Sequence, residues 1–175
     1  MSELRTNKIY PRDGLPAGAS GGGIVQVVHA ATDEHFTSTS ITPTTIISAT
    51  ITPTSASNKI LIQYTAAVSY DAGGAHSNIC ILKNGAKIAS SNNSNITSGE
   101  QFRSNKTSYD DGGATSGNTM NSLSGSFLDS PATTSAITYG VGGFSNNTNT
   151  SAYNRRVSDA QYGQVTEILI MEVSA

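Results

Sequence analysis

Hydrophobic and polar positions alternate most cleanly from Ile60 to Ser69, where Ile60, Ile62, Tyr64, Ala66 and Val68 fall on one face and Leu61, Gln63, Thr65, Ala67 and Ser69 on the other. A period of two marks a half-buried β-strand, so this run predicts a strand lying over a core. Runs rich in β-branched and other apolar residues predict further strands at 24–31, 45–52, 78–83, 120–128, 136–144 and 164–173. Polar alternation over 36–42 predicts an edge strand, and 152–157 reads as a short one. Asn84-Gly85 stands between 78–83 and 86–90 and predicts a hairpin, because both residues accept the positive φ of a type I′ turn. Pro53 and the Asp129-Ser130-Pro131 sequence stop two of the strands. Gly140, Gly142 and Gly143 inside 136–144 predict a bulge or a close backbone approach.

The closing strand is apolar on both faces: Val165, Leu169, Met171 and Val173 lie with Glu167, and Ile168 and Ile170 face the other way. Such a strand is expected to be central or to face another subunit, which makes Ile168, Ile170 and Glu172 the expected subunit interface. No window combines a 3.6-residue apolar period with helix formers. The pattern as a whole predicts an all-β chain: a single antiparallel β-sandwich of jelly-roll type with little or no helix.

Composition adds to this picture. Ser, Thr and Asn make up just over a third of the chain, and they are turn and strand-surface residues rather than helix formers. They concentrate in 90–118, where only Ile96, Phe102 and Tyr109 are large and apolar. A long loop with a short strand near 100–106 is expected there, and such excursions from a β scaffold are where binding surfaces sit. Asn92, Asn95, Phe102 and Tyr109, with Asn147 and Asn149 in the turn at 146–150, are the candidate contact residues. Only 13% of residues are charged and the net charge is -2, too little field to steer nucleic acid or an anionic membrane. No apolar stretch approaches the roughly 18 residues of a membrane span, and no basic-then-apolar leader follows Met1. The expectation is a protein made in a cytoplasm, not inserted in a membrane and not exported by a cleaved signal.

The first 22 residues differ from the rest. Pro11, Pro16 and five glycines up to Gly23 keep both helix and sheet ladder from running through them. This divides the chain into an extended N-terminal arm, 1–22, and a sandwich domain, 23–175. Leu4, Arg5, Lys8, Ile9, Tyr10, Arg12 and Leu15 are the arm residues expected to attach to something larger.

Candidate chemistry is sparse. His29, Asp33 and His35 would need strand and turn to converge before they could hold a metal, and their spacing matches no established pattern, so no metal and no cofactor is expected. The single cysteine, Cys80, lies in the apolar run Ile79-Cys80-Ile81-Leu82 and reads as a small buried hydrophobe. His76 and Cys80 sit too far apart along one strand to pair, and no Gly-x-Ser-x-Gly elbow or phosphate loop is present. No enzymatic activity is expected. Tyr109 and Tyr153 are candidates for either a contact surface or the core. Arg155-Arg156 would need an acid such as Glu167 or Glu172 if either turned inward.

Several runs, in order, resemble a family of tail-fibre-like structural proteins of bacteriophages, common in marine viruses. They are Gly23-Ile-Val-Gln-Val-Val28, Ile51-Thr-Pro-Thr-Ser-Ala-Ser-Asn-Lys-Ile-Leu-Ile62, Ile81-Leu-Lys-Asn-Gly85, Ser126-Phe-Leu-Asp-Ser-Pro131, Thr134-Ser-Ala-Ile-Thr-Tyr139 and Ile168-Leu-Ile-Met-Glu-Val173. The resemblance implies a compact jelly roll of the complement and tumour-necrosis-factor type, a homotrimer without enzymatic activity, carried on a virion. It further implies capsid or tail components as partners of the arm, and host surface polysaccharide as a contact of the loops. Fibre proteins usually carry a shaft, whereas here about 22 residues precede the first strand. That leaves capsid decoration as an alternative, with a carbohydrate-binding jelly-roll module as a second.

Overall fold

The computed structural model describes residues 23–70, 76–88, 106–109, 120–145, 150–156 and 162–174. The expectations for Leu4, Arg5, Lys8, Ile9, Tyr10, Arg12 and Leu15, and for Asn92, Asn95, Phe102, Asn147 and Asn149, lie outside the described residues. In chain order the strands are β1 (Ile24–Thr32), β2 (Phe36–Ser38), β3 (Thr44–Ile51), β4 (Lys59–Tyr70), β5 (His76–Lys83), β6 (Ala86–Lys87), β7 (Lys106–Tyr109), β8 (Asn121–Asp129), β9 (Ile137–Ser145), β10 (Ser151–Tyr153) and β11 (Thr166–Val173). The described residues contain no helix.

All pairings are antiparallel, and they form two sheets. The first runs β1-β11-β4-β8, with the short β10 and β2 extending it beside the far end of β4. The second runs β3-β9-β5, with β6 and β7 both on the outer edge of β5. With the two- and three-residue strands β2, β6 and β10 set aside, eight strands remain: the first, last, third and sixth share one sheet and the second, seventh, fourth and fifth the other, which is the strand order of a jelly roll. The predicted sandwich is therefore the fold. Asn84 and Gly85 have φ of 50° and 83°, the left-handed pair that a type I′ hairpin requires.

β2, β6 and β10 stop earlier than their pattern predicts. β2 ends at Ser38 because the Ser38 and Ser40 hydroxyls accept from the N–H of Ser40 and Thr42, satisfying locally the donors that a ladder would use. β10 ends at Tyr153 because Asn154 takes a positive φ of 67° and turns its N–H to the Ala67 carbonyl. The glycines of β9 serve a close approach: a Cβ on Gly143 would stand 2.6 Å from Cζ of Tyr153. The bulge lies on the facing strand, between Thr45 and Ile47.

The core is built in cross-strand rows. On the inner face of the first sheet, Val28, Ile170, Ile62 and Phe127 stand side by side, followed by Ala30, Ile168, Tyr64 and Gly125. They meet Ile51, Ile79, Ile81, Ile137, Tyr139 and Val141 of the second sheet. At one end of the sandwich the Asp129 carboxylate accepts from Tyr139 Oη at 2.5 Å and Lys83 Nζ at 2.6 Å, tying β8 to β9 and β5.

This arrangement corrects the interface expected at Ile168, Ile170 and Glu172, since all three are 0% exposed within one chain. β11 is central, between β1 and β4, and its even-numbered side chains face the opposite sheet. Nothing of these residues remains for a second subunit to cover. The side chains that β11 turns outward are Glu167, Leu169, Met171 and Val173.

Candidate functional site

The outward positions of the first sheet make the candidate site. The backbone alternation that sends Val28, Ile170, Ile62 and Phe127 inward sends their neighbours out. Val27 pairs with Met171, Met171 with Leu61, and Leu61 with Leu128, so an unbroken apolar row crosses four strands on the surface. Val27 is 53% and Leu128 49% exposed. Val25, beside the irregularity in β1, extends the patch at 44% exposure. Contiguous apolar surface rimmed by polar side chains marks an interaction face more than isolated exposed residues do.

The next two rows are polar. His29, Leu169, Gln63 and Ser126 stand in line, then Ala31, Glu167, Thr65 and Ser124. Between them runs a shallow trough of about 480 Å³, to which Tyr64 and Gly125 also contribute. His29 Nε2 and Glu167 Oε2 approach to 3.4 Å with both side chains 52% exposed, a solvent-screened contact of little energetic weight. On the outward positions of these four strands Lys59 and Glu167 are the formal charges, of opposite sign.

The other sequence candidates are placed apart. His29 points outward toward Glu167, whereas His35 lies in the turn after β1, near Arg155. Burial and the Arg155 charge both hold the His35 imidazole below its ordinary pKa, partly offset by a hydrogen bond with the Tyr153 backbone. Among the described residues no group of three or more His, Cys, Asp or Glu is placed to hold a metal ion. Arg155 and Arg156 do not use the proposed acids: Arg156 stacks on the Tyr162 ring at 4.3 Å, and Glu172 is engaged elsewhere. Cys80 is fully buried, and burial pushes its thiol up to about 12 against the opposing pull of Lys87. It has neither the access nor the thiolate character of a nucleophile.

Tyr153 is core, its hydroxyl donating to the Phe144 carbonyl at 3.1 Å and the Asn78 carbonyl at 3.3 Å. For Tyr109, at the end of β7, the backbone alone is described.

Among the described residues, the polar assembly with most hydrogen bonds to one buried carboxylate is structural. Glu172 is completely buried, and its Oε1 accepts from the Thr54 N–H at 2.7 Å, the Thr54 hydroxyl at 2.8 Å and Asn58 Nδ2 at 2.6 Å. Its Oε2 accepts from Gln26 Nε2 at 2.6 Å. Burial alone would push this carboxyl up; the four hydrogen bonds outweigh it and bring the pKa to about 2. The group fastens the turn before β4 to β11 and β1.

Gln63, Ser124 and Ser126 were not singled out from the sequence. Their signal was present as small polar residues at every second position of β8 facing the polar side of β4, a stripe that gains meaning only from its neighbours. The chain matches no protein-family model and no curated protein.

Proposed function

We propose that this chain is a non-enzymatic structural protein of a bacteriophage virion. In this reading it is a jelly-roll body of fibre or knob type, assembled as a homotrimer, displayed on the particle surface and joined to capsid or tail components through residues 1–22. The observation that carries the assembly is the unbroken apolar row Val27, Met171, Leu61 and Leu128 on the outer face of the first sheet. Its occupants are the other two copies of the chain in the trimer. The row itself carries no formal charge, so three copies can bring it to a common threefold axis without repulsion, with the rows of His29 and Glu167 outside the contact. The sequence runs that resemble tail-fibre-like proteins support the virion reading independently of the face.

Sedimentation of the full chain tests the assembly. The wild type is expected to sediment as a trimer, and Met171→Lys with Leu61→Lys as a folded monomer, because two charges would be desolvated in the contact. A monomeric wild type overturns it. For attachment, deletion of residues 2–22 is expected to leave a soluble folded body that no longer joins the particle; normal incorporation of the truncated chain would exclude the arm as anchor. Copy number per particle then separates a fibre component, present in few copies, from capsid decoration, present on every capsomer.

A further inference from the structure

We propose that the polar trough on the outer face of the first sheet is a binding site for a neutral saccharide chain. The trough is open rather than enclosed and runs across β11, β4 and β8, which suits a segment of a polymer better than a small molecule that must be engulfed. Gln63, Thr65, Ser124 and Ser126 present amide and hydroxyl groups, each able to donate and to accept, as a polyhydroxylated ligand requires. Glu167 adds an acceptor, and Leu169 gives an apolar patch against which the C–H face of a sugar ring can lie.

The backbone fixes the spacing of these groups. Neighbouring strands set them about 4.8 Å apart, and alternate residues of one strand about 7 Å apart, so hydroxyls on adjoining sugar rings can be met together by a rigid array. Such an array loses little side-chain freedom on binding, since Ser and Thr have few rotamers to fix.

The electrostatics select the class of sugar. Among the described residues no lysine or arginine lines the trough, and the imidazole there, His29, already stands against Glu167. A sulfated, phosphorylated or uronic acid polymer would meet a carboxylate and no free cation. A neutral chain meets only matched hydrogen-bonding groups.

The affinity per site is set low by one feature. The tyrosine of the trough, Tyr64, is only 3% exposed, with its ring over Gly125, so it offers no aromatic platform for stacking. Contact therefore gains strength from copies acting together. That last step rests on the trimer proposed above; the site itself does not.

The test uses the full 175-residue chain. A glycan array carrying neutral and acidic bacterial surface oligosaccharides is probed first, and the strongest neutral hit is titrated while backbone amide resonances are followed. The expected result is saturable shifts confined to residues 63–65, 124–126 and 167–169. Gln63→Ala with Ser126→Ala is expected to weaken binding about tenfold or more, equal to about 1.4 kcal/mol, without change in melting temperature. An array with no neutral hit, a preference for acidic glycans, or shifts that map elsewhere would each overturn the inference. A monomer that still binds would remove the trimer and keep the site, whereas a trimer that does not bind would do the reverse.

Discussion

Replacing Glu172 by glutamine is expected to lower the stability of the folded chain by roughly 3 kcal/mol, a drop of about 10 °C in melting temperature for a domain of this size. The carboxylate is completely buried and is surrounded by donors: the Gln26 amide, the Thr54 N–H and hydroxyl, and the Asn58 amide. Glutamine keeps the shape and exchanges one acceptor oxygen for an NH₂ that must face one of those donors. A buried group left without its partner costs more than the hydrogen bond was worth. Thermal unfolding of the two proteins measures the effect, and equal melting temperatures would show that the donors are satisfied some other way.

The same residue gives an acid limb to the stability profile. Its folded-state pKa is depressed from the ordinary 4.5 to about 2, so between those values the unfolded chain binds more protons than the folded one. The stabilisation from Glu172 is complete above pH 4.5 and is lost as pH falls toward 2. The wild type is expected to lose stability relative to Glu172→Gln across that window, and the gap between the two should narrow steadily in denaturant titrations. A gap independent of pH would mean that folding leaves the pKa of this carboxyl unchanged.

Gly143→Ala is expected to cost a comparable amount, roughly 3 kcal/mol. The new Cβ would lie 2.6 Å from Cζ and 2.8 Å from Cε2 of Tyr153, and 2.9 Å from Cδ1 of Ile46. The tyrosine cannot swing aside freely. Its hydroxyl is bonded to two backbone carbonyls, and its ring packs against Phe36 at a centroid distance of 5.5 Å. The double variant Gly143→Ala with Tyr153→Leu separates this clash from any generic cost of alanine in β9. The two losses should sum to more than the double variant shows, because leucine leaves room for the methyl. Additive losses would place the strain elsewhere.

How far the sequence could be read depended on how local each feature is. The hairpin at Asn84-Gly85 needs only its own two residues, and β4 declares its inward face through ten consecutive positions. In β11 both faces are apolar, so alternation alone could not say whether Ile168, Ile170 and Glu172 or Leu169, Met171 and Val173 faced the opposite sheet. The neighbours decide that: β11 is enclosed by β1 and β4, and the even-numbered side chains close the core. Glu172 was misread for the same reason, since the donors that make its burial tolerable come from residues 26, 54 and 58.

The sequence by itself determined an all-β chain, the place of nearly every described strand, the burial of Cys80 and the absence of an organising charge. These follow from side-chain period, β-branching, turn chemistry and composition, each of which acts over a few residues. Only the tertiary structure decided which face of β11 became surface and which outward residues of the four strands became neighbours. Val27, Leu61, Leu128 and Met171 form one row, with a trough beside it built from Gln63, Ser126 and Glu167. Those residues are distant along the chain and adjacent through strand register, and register is fixed by the packing of the whole sandwich rather than by any stretch within it.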